Sequence, residues 1–139
     1  MKIEIEKISI AGLKALQFAK EQNASICLTV IDDGGHIVYQ IRMDNANFMT
    51  SEVAFLKAKT AFLFKCPSHS LRAIIEKVPV LVHAIELVPG DACMLEGGFP
   101  LKLNNKFVGG VGVSGGNFEQ DLGIASAFVE FLNELHNGN

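Results

Sequence analysis

Cysteine is scarce in this chain. Cys27, Cys66 and Cys93 are an odd and widely separated set among 139 residues. No disulfide framework is expected from them, nor a metal or redox role, and the set agrees with a reducing compartment. No apolar run approaches the roughly 18 residues that a membrane span needs. The opening Met1-Lys2-Ile3-Glu4-Ile5-Glu6-Lys7 is charged where a signal peptide needs an apolar core, so a cytoplasmic location is expected. An excess of one charge is also missing: 12 basic and 15 acidic residues are scattered, for a formal charge of −3. That leaves no basic patch for nucleic acid or an anionic membrane surface. Long polar tracts are absent and 49% of the residues are apolar, which predicts one compact domain over 1–139.

Several chemical signatures are missing too. There is no G-x-S-x-G nucleophile elbow and no Gly-Lys-Ser/Thr phosphate loop. Cys66-Pro67-Ser68-His69 has C-x-x-H spacing, but zinc needs three or four ligands and no partner pair stands out. Gly110 to Gly115, G-V-G-V-S-G, matches the dinucleotide pattern G-x-G-x-x-G. That fold requires a second parallel strand after the glycine loop and its helix. Only 24 residues follow Gly115, and a helix consumes most of them, so the dinucleotide reading fails.

The apolar periodicity sets out the elements. Ser9 to Gln22 reads as a helix capped by Ser9, with Ile10, Leu13, Leu16 and Ala19 at helical spacing and Leu13, Leu16 and Phe18 supplying bulk. Ile26 to Ile31 is a short apolar strand covered on both faces. Asp32-Asp33-Gly34-Gly35 turns it into an alternating strand from His36 to Arg42. Thr50 to Lys65 is a helix with Thr50 or Ser51 as its cap. Its alanine stripe (Ala54, Ala58, Ala61) and its apolar girth predict that a second subunit covers it. Cys66-Pro67 stops it, and Ser68 to Glu76 is a shorter helix. Val78 to Val88 is apolar and ambiguous. Pro89-Gly90-Asp91 is a turn, Ala92 to Glu96 a short strand, and Gly97-Gly98-Phe99-Pro100 a tight corner. Leu101–Leu103 and Phe107–Val113 form a second hairpin around Asn104-Asn105-Lys106. Phe118 to Leu135 is the clearest helix, with Phe118, Leu122, Ala125, Val129 and Leu132 as its buried stripe. Asn117 and Gln120 have capping-box spacing. Hairpins without β-α-β alternation predict an α+β fold with a mainly antiparallel sheet.

The candidate site follows from this hairpin. Its open end gathers Gly97, Gly98, Phe99 and Pro100 with Ser114, Gly115 and Gly116, and the last helix points its positive end there. A small anion is the expected guest, with Arg42 and Glu119 near the rim. Glu119 and Asp121, in that helix's first turn, either stabilise its dipole or act as general acid/base. His36 and His136 are expected at the surface. His69 and His83 are the candidate ligands among the histidines.

Several stretches taken together resemble the GlcG/HbpS-like family, also called the haem-degrading domain family, which includes the C-terminal domain of PduO-type corrinoid adenosyltransferases. They are Val30-Ile31-Asp32-Asp33-Gly34-Gly35-His36, Arg42-Met43-Asp44, Lys57-Ala58-Lys59-Thr60-Ala61 with Pro67, Gly97-Gly98-Phe99-Pro100-Leu101, and Val111-Gly112-Val113-Ser114-Gly115-Gly116 with Glu119-Gln120-Asp121. The resemblance implies a profilin-like α/β/α sandwich around a sheet of about five strands. It also implies homo-oligomers, and in some members binding of haem or another small ligand. No motif carries an iron ligand over residue by residue. Three readings stand. The first is a small-ligand-binding module, with haem or a related tetrapyrrole as the leading guest. The second is an enzyme on a small polar metabolite, and the third a structural oligomeric partner of a metabolic enzyme.

Overall fold

The computed structural model describes residues 2–87 and 91–138. Five helices and four strands follow in the order α1 (Ile5–Glu21), β1 (Cys27–Asp32), β2 (Ile37–Arg42), α2 (Met49–Phe64), α3 (Ser70–Lys77), α4 (Val82–Glu86), β3 (Gly98–Leu103), β4 (Lys106–Ser114) and α5 (Phe118–Asn137). A single 3₁₀ turn, Pro79–Leu81, precedes α4. The expected α+β class holds, with every strand pair antiparallel. The sheet has four strands in the order β2-β1-β4-β3, not about five. The missing strand is Ala92 to Glu96. Asp91 enters this segment at φ 66°, and it runs as an irregular crossing tied down by side chains. The turn placed at Pro89-Gly90 lies outside the described residues, as does Val88.

The sheet is covered on both faces, which is why β1 is buried along nearly its whole length. On one face α1 and α5 pack side by side. Ile8, Leu28, Val30, Val111, Val113, Ile124, Phe128 and Leu132 form that core. On the other face α2 lies alone against β1, β4 and β3.

The buried faces of the helices correct the sequence reading. In α1 the inward residues are Ile8, Ala11, Ala15 and Ala19, while Ile10 and Leu13 are 45% and 57% exposed. Ile10 and Leu13 therefore point outward, while Ala19 is buried as expected and Phe18 packs against the core, and the small buried residues let α1 approach α5. The helix starts four residues early, and Ser9 is no cap: its hydroxyl donates to Ile5 O at 2.9 Å. In α2, Thr50 and Ser51 likewise donate to Asn47 O and Phe48 O, so they bond backward from inside the first turn and leave no oxygen-to-amide cap. Ala54, Ala58 and Ala61 are fully buried against this chain's own sheet, not set out for a second subunit. The third helix starts at Ser70, since Ser68 is buried with its hydroxyl donating to Leu95 O and accepting from Gly98 N. Phe118 is 55% exposed, and the inward stripe of α5 is Asp121, Ile124, Ala125, Phe128 and Leu132. The Asn117–Gln120 capping box is formed in both directions.

Candidate functional site

The register brings the predicted residues to one end of the sheet. Cys27 in β1 lies opposite Arg42 in β2 on one side and opposite Ser114 in β4 on the other. Arg42 and Ser114 are thus two strand spacings apart, roughly 10 Å. Beyond Ser114, Gly98 pairs with Gly112, and Val113 N donates to Gly97 O at 2.9 Å. The two glycine clusters are neighbours. Gly98, Phe99 and Pro100 belong to β3, so the corner narrows to Gly97, whose φ of 120° suits glycine.

Beneath this edge lies a residue to which the sequence analysis gave no role. Lys57 of α2 is 2% exposed. Its ammonium donates to Val113 O at 2.8 Å and to Asp121 Oδ2 at 3.1 Å. Asp121 is itself 3% exposed. Its other oxygen accepts from Gly116 N at 2.9 Å. A Cβ on Gly97 would come within 2.5 Å of Val113 O and 3.2 Å of Lys57 Nζ, so only a bare backbone fits over the pair. Burial pushes the Asp121 carboxyl up from its usual range, against the pull of the Lys57 charge and the Gly116 amide.

This geometry answers what anion the glycine turn holds. The amide of Gly116 is taken by Asp121, that of Asn117 by the Gln120 side chain, and that of Gln120 by Asn117. Asp121, a carboxylate of the same helix, thus sits at the positive end of α5. Asp121 joins α5, the glycine turn, β4 and α2 at a single buried point. A general acid/base needs an oxygen that substrate can reach. Both of Asp121's are occupied and enclosed. Glu119 is exposed and belongs to no ion pair among the described residues. The signal for Lys57 was present: it shares a face with Ala54, Ala58 and Ala61, at helical spacing inside the buried stripe.

The other candidates are dispersed. Arg42 donates to Ala46 O and lines an open cleft of about 450 Å³ between the end of α1 and the loop after β2. None of the glycines 97, 98, 115 and 116 lines that cleft. His69 precedes α3, and its Nδ1 is buried without a partner among the described residues. Near it, Arg72 and Glu96 pair through both guanidinium arms at 2.8 and 3.0 Å, which pulls the Glu96 carboxyl down to about 2. His83 is on α4, exposed, with Nδ1 3.5 Å from Glu86. Cys27, Cys66 and Cys93 are free thiols, and burial pushes Cys27 and Cys66 up, away from the reactive thiolate.

A four-stranded antiparallel sheet between a helix pair and a single helix, closed at one end by a glycine turn, defines an α/β/α sandwich. The Haem degrading protein HbpS-like family model matches residues 3–130, and the chain belongs to that family. It is 30% identical over 138 residues to a 15.0 kDa protein of Citrobacter freundii from the dhaT-dhaS intergenic region, covering 95% of this chain and 96% of that one. It is 27% identical over 133 residues to the corrinoid adenosyltransferase PduO of the same organism. That match takes in 96% of this chain but 40% of the transferase. Among solved structures, the PduOC:haem complex superposes with a TM-score of 0.84 at 25% identity, over 96% of each chain. No described helix is long and apolar enough to cross a membrane.

Proposed function

We propose that this chain is a small-ligand-binding module whose guest is haem or a related tetrapyrrole, and that it works as a homo-oligomer. The observation that carries the reading is the arm around α4. There Val80 and Leu87 are 66% and 82% exposed, flanking the exposed imidazole of His83. Open apolar side chains around an exposed imidazole are what an axially ligated macrocycle requires, and such a patch marks an interaction surface. The haem-bound relative supports the same guest.

None of the cavities described encloses a macrocycle beside a histidine. The large cleft has no histidine, and the cavity lined by His136 is about 190 Å³, below the roughly 300 Å³ at which cofactor pockets begin. A haem held at His83 would need a second copy to cover it. The outer side of α2 offers that contact through Phe48, Met49 and Leu63, all exposed. The enclosure of Asp121 weighs against the enzyme reading at that carboxylate.

Haemin titrated into the protein should give a shifted, saturable Soret band. His83→Ala should abolish it, while His69→Ala should leave it. No band with the wild type, or an unchanged band in His83→Ala, sinks the proposal at that site. Leu63→Glu should lower the mass measured by light scattering. A wild-type monomer refutes the oligomer.

A further inference from the structure

We infer that the cleft between the end of α1 and the loop after β2 is a second binding site, built for the carboxylate of a small organic acid. Its volume of about 450 Å³ falls within the roughly 300–1,000 Å³ of small-molecule sites. The other cavities described, at about 120 to 190 Å³, do not.

Two cations, Lys20 and Arg42, line the cleft, and neither belongs to an ion pair among the described residues. Arg42 is held in place by one bond, from Nη1 to Ala46 O, which leaves its outer edge available for a carboxylate. Asn23, Ser25 and Asn45 add hydrogen-bonding groups. Leu16, Ile41 and Met43 supply apolar wall. Asp44 is the single acid of the lining, so a second negative charge on the guest is disfavoured. A monocarboxylate with a short hydrocarbon or hydroxylated tail matches this set.

The walls are preformed. Asn23 takes φ 58° at the end of α1, and Ala24 N donates back to Ala19 O. The opposite wall is fixed by Met43 N to Ile26 O and Ala46 N to Met43 O. A site that pays no ordering cost binds weak polar guests better.

A carboxylate could come from a free acid or from a tetrapyrrole propionate, and the test separates them. Pentanoate, pentanamide, haemin and haemin dimethyl ester are each titrated into the whole protein, with amide shifts read by NMR. Pentanoate should shift residues 20–25 and 42–46 saturably, and pentanamide should not. Arg42→Met and Lys20→Met should each weaken pentanoate roughly tenfold. Lys102→Met, on the far edge strand, should change nothing. Shifts of the same residues with haemin, but with neither pentanoate nor the dimethyl ester, assign the site to propionates. No saturable shift there with either carboxylate source overturns the inference, as does unchanged affinity in both cleft variants. The outcome is independent of His83, so it fails or stands apart from the haem reading.

Discussion

The two faces of the sheet are filled by different means. Under α1 and α5 the core is made of volume: Phe128, Ile124, Leu132, Leu28 and Val30 interdigitate. Under α2 it is made by removing volume. Ala54 and Ala58 lie on Gly112 and Gly110, and a Cβ on either glycine would collide with an alanine carbonyl. Into that close-packed face the chain then places a charge, Lys57, and matches it with Asp121. The first face resembles an ordinary hydrophobic core. The second is a backbone contact organised around an ion pair, and it positions the glycine turn.

If that contrast is right, the largest effect comes from adding the least. Gly112→Val should prevent folding, because the added atoms meet the α2 backbone and cannot be relieved by turning a side chain. Soluble, cooperatively unfolding protein would show that the helix can retreat. On the opposite face, Phe128→Ala should cost about 3–5 kcal/mol in denaturant unfolding, and a loss under 1 kcal/mol would deny that face its role.

Lys57→Met keeps the stem and deletes the charge. It should cost about 3 kcal/mol at neutral pH. Burial already raises the Asp121 carboxyl, so the folded state favours its protonated form, and losing Lys57 strengthens that bias. The variant's deficit should therefore be complete above the raised pKa and shrink as pH falls through it. A deficit that grows in acid would contradict the assignment.

The smallest effect concerns the tether at Glu96, whose carboxyl falls from 4.5 to about 2 beside Arg72. A lowered carboxyl stabilises above its ordinary pKa and loses that contribution as pH falls from about 4.5 toward about 2. Hydrogen exchange should show residues 91–97 loosening in that window, and Glu96→Gln should remove the pH dependence. Equal dependence in both proteins would break the link.

How much of this was legible depends on what each residue does to its neighbours along the chain. The hairpins and the α5 cap were readable because the Asp33-Gly34-Gly35 and Asn104-Asn105 turns and Asn117–Gln120 act locally. The direction of α1 was not. Ile10 and Leu13 are bulkier than Ala11 and Ala15, yet the helix buries the small residues because α5 approaches closely there. The alanine stripe of α2 was seen but sent to the wrong partner, since the glycines that receive it are in β4. The adjacency of Gly97–Gly98 to the β4 end was readable from the hairpin. The occupancy of the glycine turn was not. Asp121 reads as an acid at a helix start until Lys57 is found beneath it.

The strand order also dictates a sequence of assembly. β1 is made early and takes β2 at once, but its other edge waits for β4, near the far end of the chain. The Gln120 side chain closes the circuit by donating to Gln22 O, 98 positions back. Until then, on a ribosome or in a refolding tube, Ile26 to Ile31 is an apolar strand with one open side. Such an edge is a template for pairing with another chain. The protein's vulnerable moment is therefore its synthesis, and a chain stopped before residue 106 should aggregate where the full chain folds. Late closure of distant contacts also makes folding slow.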